Sequence, residues 1–260
     1  MKKKTQPSYF VPALEKGLDI LEALALAPKP QSLAELARNL NRTSSELFRM
    51  IDALEKRSYI GRDLVSGGYQ LTLKLFGLAH THTPVDRLLR AAELPMRRLA
   101  DSIHESCHLS VLDRGDLLVV AQAESPEPVR LSVEVGYRVP PLRTASGRLL
   151  IAFLDPEEQQ DFLVSDGIYT AMPKSRRESL HASLRKIRKD GYYLAESTRR
   201  TGLDVACLIG NPRVGVAAAL GVPLLAVGTN EGKERKLIPA ARECADSITA
   251  ALGLADKKDP

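Results

Sequence analysis

The sequence predicts an α+β protein in two parts: a small helical unit that ends in a hairpin, and a larger mixed domain built on an antiparallel sheet. Three observations carry this. Residues 10–72 hold three helix-period patterns with capping signals, followed by a Gly-Gly turn. Residues 73–105 are mostly helical in pattern and read as a connector. Residues 106–260 mix strand-like and helix-like segments without the regular alternation that a doubly wound parallel sheet requires.

In the first helix, "VPALEKGLDILEALALAPKP", the apolar set Leu14, Leu18, Leu21 and Ala25 follows the 3.6-residue period, and Pro28 and Pro30 stop it. Ser32 opens the second helix. Glu35, three residues on, completes a capping box, and Leu33, Leu36, Ala37 and Leu40 form the apolar face. The third helix, "NRTSSELFRMIDALEKRSYI", has Thr43 as N-cap, Glu46 as its capping-box partner, and a stripe of Leu47, Met50, Ile51 and Leu54. Its opposite face carries Ser44, Ser45, Phe48, Arg49 and Asp52, the last four residues before Lys56 and placed to pair with it. In "LVSGGYQLT" two short β-prone runs join through Gly67 and Gly68 as a hairpin. Three helices and a hairpin in about 60 residues make a winged helix-turn-helix pattern.

An α-helix fits the major groove of DNA, where side chains near its start read base edges. Ser44 and Ser45 suit phosphate or base, Phe48 a thymine methyl, and Arg49 a guanine or a phosphate. Glu46 divides evenly between capping the helix and accepting from a cytosine amino group. Arg42, Thr43, Arg62 and, on the hairpin, Tyr69 are the surrounding candidates for backbone contact. A solvated protein-interaction face is the competing reading, and the capping boxes, the exposed Phe48 and the wing outweigh it together.

Composition bounds the rest. A chain of 260 residues, 44% apolar, can bury a full core. The longest apolar run, Val214–Val227, is broken by Gly215, Gly221 and Pro223 and is too short to cross a bilayer. The basic start "MKKKTQPSYF" lacks a following apolar segment, so it does not read as a secretory signal, and a cytoplasmic protein is expected. Cys107, Cys207 and Cys244 are odd in number and have no paired spacing, which argues against a disulfide framework. The net charge is +5; residues 1–72 hold 11 Lys and Arg against 8 Asp and Glu, a net of +3. That bias admits an anionic partner without demanding one.

In the second part, "CHLSVLD", "DLLVVAQAES", "PVRLSVEVG", "LDVACLIG" and "VGVAAALGVPLLAVG" read as strands. "TASGRLLIAFL", "DPEEQQDFLV", "SRRESLHASLRKIRKDGYY" and "ERKLIPAARECADSITAALG" read as helices. Thr144 is placed to cap the first of these, with Ser146 and Gly147 in a first turn whose free N–H groups favour a small carboxylate. Asp204 interrupts an apolar run, and a carboxylate in a half-buried strand needs a partner.

With these pieces in order, the chain resembles the IclR family of bacterial transcriptional regulators from about Val11 to Gly253. The matching segments are "ALEKGLDILEAL", "SLAELARNLNRTSSELFRMIDALEKRSYI", "GGYQLT", "VRLSVEVGYRVPPLRTASGRLLIAFL", "IRKDGYY" and "GLDVACLIGN…VAAALGVP". The resemblance implies an N-terminal winged helix-turn-helix followed by a C-terminal effector-binding domain of GAF/PAS-like architecture. It also implies a homodimer or homotetramer on a double-stranded DNA operator, acting as a regulator, such as a repressor, of an organic-acid, sugar-acid or aromatic catabolic operon. The pocket residues it implies are Ser146, Gly147, Glu196, Asp204, Cys207 and Gly221. Two positions depart from the family pattern: Arg148 stands where a lysine is usual, and Leu208 where a proline is common. No cofactor, metal or membrane is expected. A metal sensor using His104, Cys107 and His108, or His80 and His82, and an enzyme using Cys207 are the rival classes. Adjacent strand residues point to opposite faces, which weakens the first, and Cys207 has no histidine near it in sequence, which weakens the second.

Overall fold

The computed structural model describes residues 11–80, 83–196, 202–211, 218–224 and 233–255. The chain divides into two units, Met1–Thr83 and Pro84–Pro260.

In the first unit α1 (Pro12–Leu26), α2 (Leu33–Asn39) and α3 (Ser44–Lys56) are followed by β1 (Ile60–Arg62), β2 (Tyr69–Leu71) and α4 (Lys74–His80). Ile20, Leu24, Leu36, Ala37, Leu47, Ile51, Ile60 and Tyr69 form the core, with Leu21, Leu33, Leu40, Met50 and Leu54 packed against it. The faces expected for α2 and α3 are therefore the buried ones. For α1 the expected face is corrected: Leu14 and Leu18 remain 57% and 44% exposed while Ile20 and Leu24 are buried. This helix carries apolar residues on two sides, so helical periodicity alone does not choose between them.

The first strand of the hairpin lies earlier than expected, at Ile60–Arg62, so that Leu64 and Val65 fall in the turn. Asp63 ends β1 by accepting the N–H groups of Ser66 at 2.7 Å and Val65 at 3.2 Å, which leaves Leu64 and Val65 exposed at the tip. Gly67 then takes φ of +68°, a conformation that favours glycine. Strands β1 and β2 pair antiparallel, and Gln31 bridges to Tyr69 on the free edge of β2.

The second unit begins with α5 (Thr83–Ile103), followed by β3 (Cys107–Asp113), β4 (Asp116–Ala123) and β5 (Arg138–Val139). A 3-10 turn (Pro141–Arg143) leads into α6 (Ala145–Phe153), α7 (Pro156–Ser165), α8 (Gly167–Thr170) and α9 (Lys174–Asp190). Then come β6 (Tyr192–Glu196), β7 (Leu203–Ile209), β8 (Ala218–Pro223) and α10 (Lys233–Ala251). The strands form one six-stranded sheet in the order β5-β4-β3-β8-β7-β6, and every pairing is antiparallel. This is the α+β architecture the sequence predicts.

Both faces of the sheet are covered. On one, Leu88, Ala92, Met96 and Leu99 of α5 join Leu237, Ala241, Ala245 and Ile248 of α10 over Cys107, Leu109, Cys207 and Leu220. On the other, Leu149, Leu150 and Ile151 of α6 meet Leu180, Leu184 and Ile187 of α9 over Leu117, Ala206 and Ala219. The stretch 73–105 is therefore not one connector: α5 is a core helix of the second unit. "PVRLSVEVG" is not a strand either. It runs irregularly, and of its alternating apolar residues Val129 and Val135 stay exposed.

Ile51, 1% exposed, lies at the centre of the first unit. Ile51→Ala should cost about 2–5 kcal/mol, read by urea unfolding as a fall in the stability of that unit.

Candidate functional site

The start of α3 is fixed by local hydrogen bonds. Thr43 Oγ1 accepts from the Glu46 N–H at 3.3 Å, and Glu46 Oε2 accepts from the Thr43 N–H at 2.9 Å, closing the capping box. Glu46 also pairs with Lys16 at 3.1 Å. The Thr43 backbone bond, then the Lys16 and Thr43 side-chain bonds, pull its carboxyl down to about 2. Glu46 thus serves as the cap. Thr43 is the N-cap too, its hydroxyl bonded to Glu46 and to Ser45 Oγ.

With the cap closed, α3 presents Ser44, Ser45, Phe48 and Arg49 outward. Phe48 is 58% exposed, and Arg49 is exposed with no ion pair among the described residues. Asp52 pairs with Lys56 at 2.8 Å, as the i, i+4 spacing suggests. Arg42 lies 3.7 Å from Asp19. On the hairpin, Arg62 pairs with Glu55 at 3.2 Å and lies over the Tyr69 ring at 4.7 Å. Tyr69 itself is 5% exposed, and its hydroxyl accepts from Arg62 Nη2 at 2.6 Å. The expected contact role of Tyr69 is therefore corrected: its ring is in the core and its hydroxyl is occupied.

The second unit holds a cavity of about 840 Å³ between the start of α6, the sheet face below it and the irregular segment before β5. Thr144 caps α6 by accepting from the Gly147 N–H at 2.9 Å. Of the residues expected at a pocket, Ser146, Asp204 and Gly221 line this cavity. Gly147 is buried nearby for a packing reason, because a Cβ there would overlap the backbone of Pro141. Cys207 is corrected. Strand alternation turns it to the opposite face, into the core with α5 and α10, where burial pushes its thiol up to about 12. That environment does not form the thiolate a cysteine nucleophile needs. The side chain of Glu196 lies outside the described residues.

The cavity also recruits residues not nominated from sequence: His108, Val119, Leu131, Glu134, Tyr137 and Arg143. One signal for His108 was available. In "CHLSVLD" the alternation puts Cys107 and Leu109 on one face and His108 and Ser110 on the other, and polar residues on a covered face invite a question. The three residues of the metal reading separate: His104 pairs with Glu127 at 2.9 Å, Cys107 joins the α5/α10 core, and His108 faces the cavity. No group of three metal-ligating side chains converges among the described residues. His80 and His82 lie outside the residues whose side chains are described.

Comparison with known proteins identifies the family. Residues 13–64 match the IclR helix-turn-helix domain, and residues 81–250 match the domain described as Bacterial transcriptional regulator IclR C-terminal. The chain belongs to the IclR family: it is a transcriptional regulator that joins a DNA-binding helix-turn-helix to an effector-binding domain. It is 26% identical over 251 residues to the HTH-type transcriptional regulator KdgR of Escherichia coli, covering 95% of this chain and 94% of that one. It is 25% identical over 258 residues to the transcriptional repressor AllR of Klebsiella pneumoniae, covering 95% and 92%. Among solved structures, an IclR homolog from Microbacterium hydrocarbonoxydans complexed with 4-hydroxybenzoate aligns with a TM-score of 0.76 at 23% identity, covering 93% of this chain and 99% of that one. The Thermotoga maritima IclR aligns with a TM-score of 0.74 at 22% identity, covering 92% and 98%. No described helix is long and apolar enough to cross a membrane.

The lowered pKa of Glu46 sets a pH dependence. A carboxyl depressed in the folded state adds stability that is full above its ordinary value near 4.5 and is lost as pH falls toward 2. Urea unfolding across that window should show wild type losing more stability than Glu46→Gln, and parallel curves would contradict the assignment.

Proposed function

We propose that this chain is a ligand-gated regulator of a small-molecule catabolic operon, reading its operator with the Ser45–Phe48–Arg49 face of α3 and sensing a small carboxylate in the cavity below α6. The observation that carries the DNA half is the closed capping box of α3. With Thr43 and Glu46 occupied by each other, the outward side chains Phe48 and Arg49 are left for a partner. An exposed aromatic beside an arginine matches the apolar and bidentate contacts that major-groove base edges offer. Ser44, Ser45 and Arg42 supply phosphate contacts around it.

The effector half rests on the cavity beside the α6 N-terminus, where the helix dipole favours an anion and the first turn holds no acidic residue. Organic, sugar and aromatic acids fit that requirement, and the ligand of the Microbacterium hydrocarbonoxydans structure, 4-hydroxybenzoate, is one such acid. The regulator works as a homodimer or homotetramer, so that two copies of α3 meet symmetric half-sites. The exposed Leu14 and Leu18 of α1, with Val11 just before it, offer apolar surface for association.

The test is binding of the purified chain to its own upstream intergenic DNA and to a scrambled duplex across a salt series. Arg49→Ala should lose about 1–3 kcal/mol of specific affinity with its melting temperature unchanged. Unchanged affinity would remove Arg49 from the interface.

A further inference from the structure

The wall of the cavity contains a polar group with no assigned task. His108 faces the cavity from β3, and its Nδ1 is shut off from solvent without a hydrogen-bond partner. Ser110, next on the same face of β3, has a hydroxyl in the same condition, and its cross-strand neighbour Val119 lines the cavity. Burial pushes the His108 imidazole down to about 4, so at neutral pH it carries one proton and no charge. A buried N–H without an acceptor is rarer than a buried lone pair without a donor. The proton therefore belongs on Nε2, and Nδ1 is the bare lone pair.

Nε2 lies at a place prepared for it. A Cβ on Gly221 would overlap the His108 ring edge at Nε2 and Cε1 and would lie 2.7 Å from Ser146 Oγ. The absent side chain at Gly221 thus lets the His108 edge and the Ser146 hydroxyl converge over β8, and Ser146 belongs to the first turn of α6. Two neutral donors and the positive end of a helix meet there, and the charged residues Glu134, Arg143 and Asp204 also line the wall.

We propose that His108 is a specificity-determining residue of the effector site, its Nε2–H and the Ser146 hydroxyl together holding an oxygen of the effector's carboxylate at the start of α6. This rests on the effector reading above and adds the group that selects. A primary amide in place of the carboxylate keeps an acceptor oxygen but lacks the negative charge that the positive end of α6 favours, so it should bind more weakly than the acid.

The test is calorimetric titration of the full chain with acetate, lactate, benzoate and 4-hydroxybenzoate, each against its primary amide. It is run on wild type, His108→Leu and His108→Gln, with melting temperature and affinity for the upstream DNA as controls. The expected result is that at least one acid binds wild type and its amide binds more weakly. His108→Leu should bind that acid about 10- to 100-fold more weakly, and His108→Gln, which keeps a side-chain N–H donor, within about threefold of wild type. DNA affinity without ligand should be equal in all three. An acid that binds wild type and folded His108→Leu equally would overturn the role of His108 and leave the carboxylate reading standing. Binding of none of the acids to wild type would overturn both, and the DNA-binding reading would be unaffected.

Discussion

The effector-binding domain depends on one close approach: the first turn of α6 rests against the backbone of Pro141, which is possible because residue 147 has no side chain. That contact sets the start of α6 over the sheet. It places Ser146 beside β8, where Gly221 leaves room for the edge of His108. The two glycines act as a pair, one bringing the helix down and the other letting the strand receive it. A side chain at residue 147 would push the start of α6 off Pro141, and one at residue 221 would displace the His108 ring and the Ser146 hydroxyl.

The two helices assigned to ligands differ in how their N-termini are closed. Helix α3 begins Thr43-Ser-Ser-Glu46, and the glutamate folds back to complete the box. Helix α6 begins Thr144-Ala-Ser-Gly147, with the same cap residue and no carboxylate at the third helical position. In α3 the positive end of the dipole is already answered by Glu46, and recognition passes to the side chains of the outer face. In α6 it is unanswered, which leaves the helix start open to a carboxylate from outside the chain. In the proposed function, glutamate against glycine three residues after the cap divides the helix assigned to side-chain reading from the one assigned to binding with its end.

Sequence reasoning reached furthest where structure is local. The capping boxes at Ser32 and Thr43 appear atom for atom, because each is decided within four residues. The buried stripes of α2 and α3 follow for the same reason, each helix having one continuous apolar stripe. Helix α1 has two, and only packing against Leu36, Leu47 and Ile51 selects Ile20 and Leu24. The segment 128–136 alternates like a strand, yet Leu131 and Val133 turn into the cavity and the chain forms no ladder. At the site, Ser146 and Asp204 were legible as a helix start and an interrupted apolar run, while Gly221 came only from the family resemblance. Cys207 stands three residues from Asp204, so in a regular strand the two face opposite sides, and alternation alone separates them. His108 is harder to place, because its partners come from β8 and α6, more than 30 residues away in the chain.

The central claim is that the cavity and the outer face of α3 belong to one switch, and thermodynamic linkage tests it whatever the operator sequence is. The measurement is the affinity of the full chain for its upstream duplex with and without a saturating carboxylate, paired with the affinity for that carboxylate with and without the duplex. The account predicts that both change by the same factor, about fivefold or more. Two affinities that ignore each other would contradict it.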